Sequence, residues 1–332
     1  MNVSSTCLDV SFVVPVFDEE GTIEALVERL HTAMRERPDS AYEIILIDDG
    51  STDESWPAMQ SLAKSDHKVI SYRLRRNFGK ATALALGAQV ARGTTLMTLD
   101  ADLQDDPAEV PRFLEKIDEG YDLVSGWKKD RKDPLSKTLP SKVFNWIVRS
   151  VTGVKLQDFN CGFKAARTEV YRAVPLYGEL HRFIPVLAND MGYKVVEIPV
   201  LHHPRTSGKS KYSLERFIRG FLDLLTVLTI TRYGHRPGHL FGGLGVICGL
   251  AGSAILLYLF VSWLFGPIYN RPLLPFGIML VILSAQLVTF GMLAEMVLFR
   301  SGPRPVEKLV AEVAAAQSTS VKGTEPVSVV GL

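Results

Sequence analysis

Cysteine is scarce in this sequence. The chain has 3 cysteines, and Cys7, Cys161 and Cys248 are scattered along it. Such spacing matches neither a disulfide framework nor a cysteine-based metal site. We therefore expect the protein to work in a reducing, cytosolic surrounding.

An excess of charge of either sign is also missing. The formal net charge is +1, so the overall balance gives no sign of nucleic acid as a partner. The first residues lack the basic and then apolar pattern of a secretory signal peptide, and we expect none. A length of 332 residues is typical of about two domains.

Three short apolar runs end in acidic residues. The runs occupy residues 10–16, 42–48 and 94–99, and the acids at their ends are Asp18, Glu19, Asp48, Asp49, Asp100 and Asp102. With two further runs, this pattern predicts strands near residues 10–16, 42–48, 69–74, 94–99 and 121–125. Helical spacing between the strands indicates an α/β fold with a doubly wound, mostly parallel sheet. The ligand site of such a sheet lies at the carboxyl ends of the strands.

Signals for helix starts separate these strands. Residues 22–35 have apolar side chains at helical spacing. The Ser-Thr-Asp-Glu segment at 51–54 is a capping-box signature that predicts the start of the next helix. The Asp-Pro-Ala-Glu segment at 106–109 predicts the same, with Pro107 in the first helical position.

Two carboxylates one residue apart follow the strand predicted at 94–99. Asp100, Ala101, Asp102, Leu103 and Gln104 succeed it directly. Hard oxygen ligands on a rigid strand end suit Mg²⁺ or Mn²⁺ carrying a substrate diphosphate. The alternative is an ordinary solvated turn, because Asp-x-Asp is a common sequence. The acids at the two other strand ends favour the metal site.

Two long segments lack charged residues altogether. Residues 240–265 and 273–294 contain no Asp, Glu, Lys or Arg, and each is long enough to span a bilayer core. The short stretch between them predicts a helical hairpin, and the basic residues at both outer ends place those ends in the cytoplasm. Gly245 and Gly249 resemble a helix-packing motif. Glu295 is either an interface residue or a functional polar group.

Two basic stretches precede the apolar segments. The first includes Arg131, and the second includes Arg205 and Lys211. A helix predicted at 213–231 is apolar on much of its surface, and we expect it to lie at the bilayer surface. The basic residues suit either anionic lipid headgroups or a phosphate whose organic tail lies in the membrane.

Several motifs together resemble one enzyme family. They are Pro15-x-Phe17-x-Glu19, Ile47-Asp48-Asp49-Gly50-Ser51, Asn77-Phe78-Gly79-Lys80, Asp100-Ala101-Asp102-Leu103-Gln104, Asp158-x-x-x-Gly162-Phe163 and Arg205-x-x-Gly208-x-Ser210-Lys211. Over about residues 8 to 300 the chain resembles the inverting family-two glycosyltransferases. More narrowly, it is similar to those acting on polyprenyl phosphates, such as dolichyl-phosphate mannosyltransferase and undecaprenyl-phosphate glucosyltransferases. The resemblance implies a GT-A-like fold, a nucleotide-sugar donor, a polyprenyl phosphate acceptor and Mg²⁺ or Mn²⁺.

The resemblance also implies roles for the matched positions. The nucleotide sugar would be held by Pro15, Phe17, Glu19, Ile47, Asp49, Asp100 and Ala101. The metal would be held by Asp102 and Gln104, and phosphate groups by Arg131, Arg205 and Lys211. Asp102, Asp158 and Arg205 would form the catalytic machinery. Asp158 is either a base or a group that orients the sugar or the acceptor.

The resemblance further implies a domain organisation. We expect a cytosolic transferase domain at 1–212, an amphipathic juxtamembrane helix at 213–236, a transmembrane hairpin at 237–300 and a disordered cytosolic tail at 301–332. The two spans would lie at about 240–265 and 273–299. The protein would then sit in the inner (cell) membrane with its catalytic domain on the cytoplasmic face. Whether the hairpin also packs into a homo-oligomer is left open.

One departure from the family bears on the donor. Mannosyl enzymes that use GDP-mannose tend to carry Gly-Ser-Arg where this chain has Ser125, Gly126 and Trp127. The missing arginine favours a UDP-sugar such as UDP-glucose, with GDP-mannose as the alternative.

Three other classes of protein fit the sequence less well. A processive polysaccharide synthase would carry a Gln-x-x-Arg-Trp motif, which the sequence lacks. A non-catalytic regulatory subunit would be free to lose Asp100, Asp102 or Gln104, and all are present. A transporter would need more spans than one hairpin provides.

Overall fold

The computed structural model describes most of the chain. The described residues are 8–129, 145–201, 203, 226, 227, 229, 231, 237–266 and 272–300. They form an α/β domain and, further along the chain, two long helices.

The α/β domain is built on a 7-stranded sheet. Its strands are β1 (Leu8–Val16), β2 (Tyr42–Asp48), β3 (Val69–Arg73), β4 (Gly93–Thr98), β5 (Leu123–Trp127), β6 (Lys164–Arg167) and β7 (Val195–Pro199). Their spatial order is β3-β2-β1-β4-β6-β5-β7. Strands β1 to β4 are parallel to one another, and β5 is parallel to β7. The predicted doubly wound, mostly parallel sheet is confirmed.

Helices connect and cover the strands. They are α1 (Ile23–Met34), α2 (Ser55–Ser65), α3 (Lys80–Val90), α4 (Val110–Asp118), α5 (Thr168–Ala173) and α6 (Ile184–Asp190), whereas α7 (Pro237–Phe265) and α8 (Leu273–Arg300) follow the domain in the chain. Short 3-10 helices lie at Pro107–Glu109 and Leu180–Phe183. All five predicted strands and the first predicted helix are present, with ends shifted by a few residues.

Strand alternation divides the core into two apolar clusters. On β1, Phe12 and Val14 belong to the cluster that includes α1 and α4, whereas Val13 belongs to the cluster that includes α3 and α6. Successive residues of a strand point to opposite faces, so a strand covered on both faces is apolar throughout. This burial keeps the strand ends, where the acidic residues lie, in fixed relative positions.

Strand β6 was not predicted from the sequence. It pairs antiparallel with both β4 and β5, and its Lys164 and Ala166 face residues of both neighbours. The strand is short, and a buried lysine interrupts its apolar pattern. Its insertion places the segment before it, which includes Asp158 and Gly162, next to the end of β4.

The predicted capping box at 51–54 is wrong in its details. Helix α2 begins at Ser55, and the Ser51 hydroxyl accepts a hydrogen bond from the Asp18 N–H instead (3.0 Å). Asp53 accepts from the Ser55 N–H (3.0 Å). At the second predicted start, the Asp106 carboxylate does cap the turn by accepting from the Ala108 N–H (3.1 Å), with Pro107 in the first position.

Helices α7 and α8 form the predicted hairpin. Both are long and apolar enough to cross a membrane. They approach closely at small residues, because a Cβ added at Gly249 would lie 2.7 Å from Ser284 Oγ and one at Gly252 would lie 2.9 Å from the Gly277 carbonyl oxygen. Gly245 likewise faces α8. The helix-packing interpretation of this glycine motif therefore applies within the hairpin.

Glu295 has a structural role in the hairpin. Its carboxylate accepts a hydrogen bond from the Gly238 N–H (3.2 Å) in the first turn of α7. The first N–H groups of a helix lack partners inside the helix and attract negative charge. Glu295 thus caps α7 from near the end of α8, and the choice between an interface residue and a functional polar group stays open.

The predicted juxtamembrane helix and tail fall largely outside the described residues. Of the 213–236 segment, residues 226, 227, 229 and 231 are described and helical. Val227 is buried and belongs to the cluster with α3 and α6. The boundary predicted at residue 212 stays a prediction, and so does the tail at 301–332.

Candidate active site

The acidic strand ends meet along one edge of the sheet. Strands β2, β1 and β4 are neighbours and parallel, so the loops that follow them emerge on the same side. The chain runs outward from β1 to β3 and returns to β4 on the other side of β1. Ligands of α/β sheets bind at such a reversal of strand order.

The loops after β1 and β2 are joined by hydrogen bonds. The Asp18 carboxylate accepts from the Thr52 N–H (2.8 Å), and the Glu19 N–H donates to the Ser55 hydroxyl (2.9 Å). Asp18 has a positive φ of 55°, a conformation that Asn and Asp tolerate better than most residues. The two loops therefore form one rigid wall of the site.

The nucleotide-binding residues predicted on β1 and β2 lie at this wall. Pro15 and Ile47 are register partners on neighbouring strands. Phe17 and Glu19 are partly exposed, whereas Ile47 is completely buried. The Ile47 side chain would therefore pack beneath the surface that a nucleotide contacts and would not itself be exposed to the nucleotide. Their nucleotide contacts stay a prediction.

Asp49 holds the turn that precedes α3. Its two carboxylate oxygens accept from the Phe78 N–H (2.8 Å) and the Gly79 N–H (2.9 Å). Burial raises the pKa of Asp49, and these backbone hydrogen bonds counteract part of that effect. Gly79 has a φ of 93°, which favours glycine at this position. The carboxylate predicted to bind the nucleotide thus also positions the turn at 77–80.

Asp100 is held between a lysine and a glycine. Lys80, the first residue of α3, donates to Asp100 Oδ1. Burial alone would raise the pKa of Asp100, but the charge and hydrogen bond of Lys80 keep it far below its usual value. A Cβ at Gly162 would lie 2.6 Å from Asp100 Oδ2, so only glycine allows this approach. The Asp100 carboxylate is ionised and already paired with Lys80. The metal role predicted for Asp102 and Gln104 stays a prediction.

The acidic loop (residues 100–104) turns sharply at Leu103. This residue has a φ of 56°, rare for a non-glycine side chain, and it packs against the apolar core. The Gln104 N–H donates to Asp102 Oδ1 (3.2 Å). Asp102 and Gln104 are both partly exposed. The turn therefore presents the Asp102 carboxylate and the Gln104 amide on the same loop.

The donor set of the acidic loop fits a magnesium-like ion. Among the described residues, no cluster of three or more His, Cys, Asp or Glu forms a metal site built by protein alone. Mg²⁺ is commonly bound through one or two carboxylates together with substrate phosphates and water. Asp102 and Gln104 supply such a partial set, so the residues fit a metal that a substrate diphosphate completes.

Asp105 pairs with Lys128 beneath the acidic loop. The Lys128 Nζ lies 2.8 Å from Asp105 Oδ1, and both side chains are largely shielded from water. Burial would lower the pKa of Lys128, but the charge of Asp105 raises it well above its usual value. Lys128 therefore neutralises a buried acid. Paired in this way, Lys128 is not placed to neutralise an acceptor phosphate.

Asp158 is buried in the segment before β6. It is 2% exposed, and its Oδ1 accepts from the Asn160 N–H (3.0 Å). The Asp158 N–H donates to Glu197 Oε1 (2.8 Å) on β7. Burial raises the pKa of the nearby Cys161 thiol to about 12. The structure thus gives Asp158 a fixed place close enough to Lys164 to interact with it, and its role as base or orienting group stays a prediction.

The end of β7 is tied to the acidic loop, which the sequence did not indicate. The His203 N–H donates to the Gln104 carbonyl oxygen (2.9 Å), and the His203 ring lies 3.0 Å from the Asp106 carboxylate. The Leu201 N–H donates to Glu109 (3.4 Å). In the sequence, the Asp-Pro-Ala-Glu segment at 106–109 predicted only the start of a helix. In the structure, its two acids, Asp106 and Glu109, also bind the residues that follow β7.

Three predicted phosphate-binding residues lie outside the described residues. They are Arg131, Arg205 and Lys211. Arg205 is two residues beyond His203, which is fixed to the acidic loop. Their binding of phosphate stays a prediction.

Comparison with known proteins places the site in a family. The description "Glycosyl transferase family 2" matches residues 11–176, which include β1 to β6. Dodecaprenyl-phosphate galacturonate synthase from Rhizobium johnstonii is 41% identical over 297 residues, covering 87% of this chain and 88% of that protein. Undecaprenyl-phosphate 4-deoxy-4-formamido-L-arabinose transferase from Pectobacterium atrosepticum is 34% identical over 330 residues, covering 96% and 98%.

Solved structures share the fold of the domain. Glucosyl-3-phosphoglycerate synthase from Mycobacterium tuberculosis, solved with Mn²⁺, uridine diphosphate and phosphoglyceric acid, superimposes with a TM-score of 0.51 at 19% identity. The match covers 67% of this chain and 78% of that one. The mixed sheet of seven strands is therefore a GT-A fold.

Proposed function

Because the chain belongs to glycosyl transferase family 2 and is a glycosyltransferase, we propose that it moves a sugar from a nucleotide sugar to a polyprenyl monophosphate, with inversion. The observation that carries this proposal is the acidic loop at the end of β4 in a chain that continues into an apolar hairpin. The first feature suits a nucleotide diphosphate, and the second suits an acceptor that resides in a membrane.

The names of the relatives support the acceptor class. One relative is a dodecaprenyl-phosphate galacturonate synthase and another an undecaprenyl-phosphate transferase, and both are covered nearly end to end. The long coverage matters because it includes the hairpin as well as the domain. We therefore extend polyprenyl phosphate, as a class, to this chain.

A UDP-sugar is the favoured donor. Gly126 stands where GDP-mannose enzymes tend to carry a serine before their arginine, and a Cβ there would lie 2.9 Å from Cys161 Sγ. The arginine itself is replaced by Trp127, so GDP-mannose is the second candidate. The relatives are named for galacturonate and 4-deoxy-4-formamido-L-arabinose. Glucose, which the resemblance first indicated, is thus one of several sugars to test.

Asp102 and Gln104 would hold the divalent metal, Mg²⁺ or Mn²⁺. When bound, the ion stabilises the negative charge that develops on the departing nucleotide diphosphate. Asp100 stays ionised and paired with Lys80, so its charge is neutralised within the site. The hydrogen bonds of Gln104 with Asp102 and His203 hold the loop in the orientation that this role requires.

The acceptor needs little activation. The second pKa of a phosphate monoester is about 6, so the lipid phosphate is largely dianionic at neutral pH. Its oxygen can attack the anomeric carbon as the bond to the nucleotide diphosphate breaks, and a single displacement of this kind inverts the configuration. Repulsion between the incoming phosphate and the donor diphosphate must be relieved, and we assign this to Arg131, Arg205 and Lys211.

Asp158 fits an orienting role better than that of a base. A dianionic attacking oxygen carries no proton that must be removed. Asp158 is also buried and its Oδ1 accepts from the Asn160 N–H (3.0 Å). We propose that Asp158 holds the segment before β6 against the binding site of the donor sugar.

The hairpin would hold the domain at the cytoplasmic face of the inner membrane. Basic residues flank both of its outer ends, which is the arrangement of cytoplasmic ends. A domain held at the surface by α7 and α8 would meet the phosphate of a lipid whose tail stays in the bilayer.

The test is the identity of the lipid product. Purified full-length protein is incubated with undecaprenyl phosphate, Mg²⁺ or Mn²⁺, and a panel of UDP-glucose, UDP-galacturonate, UDP-4-deoxy-4-formamido-L-arabinose and GDP-mannose. Mass spectrometry should detect one undecaprenyl-phosphate monosaccharide that forms only with an added metal. Absence of a glycosylated lipid with every donor, alongside transfer to a soluble acceptor, would overturn the proposal.

A further inference from the structure

His181 lies beside Asp100 in a rigid part of the site. It belongs to the 3-10 helix at Leu180–Phe183, whose first and last residues are 2% and 0% exposed. The next residue, Arg182, pairs with Glu179 (2.6 Å). These contacts fix the backbone on both sides of His181.

The His181 ring has an unused hydrogen-bonding atom. Its Nδ1 is buried and has no hydrogen-bond partner among the residues that the structure describes. Buried polar atoms of proteins are nearly always hydrogen-bonded, and leaving one without a partner is unfavourable. An orphaned atom beside the Asp100 carboxylate is explained if a ligand supplies the missing partner.

The surroundings make the His181 ring neutral. Burial, together with the positive charges of Lys80, Arg182 and Lys164, holds its pKa well below the usual value. Its interaction with Asp100 opposes this shift only in part. A neutral imidazole offers one donor and one acceptor. It therefore suits a hydroxyl group, which can both give and take a hydrogen bond.

The order of the strands places His181 at the sugar end of the donor. Along the sheet edge the acidic groups follow as Asp49 after β2, Glu19 after β1 and Asp102 after β4. A nucleotide with its base at β2 and β1 and its diphosphate at the acidic loop would extend its sugar past Asp102. Asp100 lies there against Gly162, and His181 is close enough to interact with Asp100.

We propose that His181 is a specificity-determining residue that hydrogen-bonds a hydroxyl group of the donor sugar through Nδ1. The inference rests on the proposed function, because it takes a nucleotide sugar as the ligand. It does not require His181 to remove a proton, since the acceptor phosphate carries none on its attacking oxygen. The residue would bind the sugar and would not contact the nucleotide.

The test compares binding of a nucleotide with and without its sugar. UDP and the UDP-sugars UDP-glucose and UDP-galacturonate are titrated into wild type, His181→Leu and His181→Asn by calorimetry. Asparagine can place a polar atom near the position of Nδ1, whereas leucine cannot. The matched control is His67→Ala. The His67 side chain is 91% exposed, and it precedes the amino end of β3, opposite the carboxyl ends that carry the site.

The leucine variant should lose sugar binding selectively. We expect its affinity for the sugar that wild type prefers to fall about tenfold, as for one lost hydrogen bond in a buried site. Its affinity for UDP should stay within about twofold. The asparagine variant should recover part of the loss and change the ranking of the sugars. The His67→Ala protein should match wild type in every titration.

Three outcomes would overturn the inference. An equal loss for UDP and for UDP-sugar would give His181 a purely structural role. Unchanged binding together with a higher KM for undecaprenyl phosphate would assign the ring to the acceptor. Unchanged binding and turnover would show that no substrate meets it.

The binding titrations contain no lipid, so they separate this inference from the proposed function. The variants could lose affinity for the UDP-sugar alone, while the wild-type protein glycosylates no polyprenyl phosphate. That result would support the role of His181 in sugar binding and reject polyprenyl phosphate as the acceptor. If His181→Leu fails to fold, the asparagine variant alone decides, through its change in sugar ranking.

Discussion

The domain and the hairpin bury different kinds of groups. In the domain, apolar side chains fill both faces of the sheet, and buried acids are paired with cations, as in Asp48 with Arg73 (3.0 Å) and Glu43 with Arg92 (2.6 Å). In the hairpin, glycines form the contact between α7 and α8, and large apolar side chains face outward. Phe265 is 88% exposed and Leu250 68% exposed.

This difference suggests a division of tasks, in which the domain would carry out catalysis and the hairpin would determine membrane association. The domain buries most of its large apolar side chains between the sheet and its helices. The hairpin leaves an apolar surface that only a lipid-like surrounding would cover. Substitutions at the strand ends should therefore change catalysis without changing membrane association, and substitutions between α7 and α8 should do the reverse.

The largest effect on turnover is expected at the acidic loop. Asp102→Asn keeps the shape of the side chain but removes its charge, and we expect turnover to fall by at least about 100-fold. Circular dichroism and the melting temperature should stay those of wild type. The control is Asp39→Asn, since Asp39 is exposed and precedes the amino end of β2, opposite the carboxyl ends that carry the site. Near-normal turnover at saturating Mg²⁺ or Mn²⁺ would remove Asp102 from the mechanism.

A second pair of substitutions separates the donor from the acceptor. Arg205→Ala removes a charge-assisted phosphate contact, so lipid-dependent turnover should fall about tenfold or more while UDP affinity changes little. Asp49→Ala frees the Phe78 and Gly79 N–H groups, and it should weaken UDP binding. Calorimetry with UDP and a lipid-dependent assay measure both. Equal losses of UDP affinity would move Arg205 to the donor diphosphate.

A smaller effect, on stability and not on turnover, is expected inside the hairpin. Gly249→Leu forces a side chain against Ser284, and overpacking of this kind costs about 1–3 kcal/mol. Gly243→Leu is the matched control, because nothing lies within 4 Å of a Cβ there. The first variant should lose thermal stability in detergent while both keep wild-type affinity for UDP. Identical melting of the two variants would argue against the glycine contact.

No effect on turnover is expected from a cysteine between the two helices. Asn270→Cys should react with an impermeant thiol reagent added to intact cells, because the positive-inside rule places this loop outside. Ser320→Cys should stay unlabelled until the cells are opened. Cys7 and Cys248 are replaced by serine in both proteins to lower the background. Labelling at 320 and not at 270 would invert the topology.

The sequence predicted those features that depend on local pattern. Apolar runs ending in acids fixed the positions of β1, β2 and β4, and runs without charge fixed α7 and α8. Strand β5 is displaced from the predicted 121–125 to Leu123–Trp127, where it pairs with Val195–Pro199. Such a shift depends on the partner strand, which local pattern does not contain.

The contacts between distant segments could not be predicted. Strand β6 is too short to show a period, and the hydrogen bond from His203 to Gln104 joins residues far apart in the chain. The Ser51 hydroxyl accepts a hydrogen bond from the Asp18 N–H and forms no capping box, because the loop after β1 lies beside it. His181 carried no sequence signal, since its importance comes from an unsatisfied ring atom next to Asp100.

The choice of acceptor tests most directly the central claim that the protein transfers a sugar to a polyprenyl phosphate. Full-length protein with its preferred UDP-sugar and a divalent metal is given undecaprenyl phosphate, undecaprenol or 3-phosphoglycerate, and the labelled sugar is followed into the organic and aqueous phases. We predict transfer to undecaprenyl phosphate alone, since only this acceptor combines a phosphate with a membrane-embedded tail. Equal or faster transfer to 3-phosphoglycerate would contradict the account and give the hairpin no part in substrate choice.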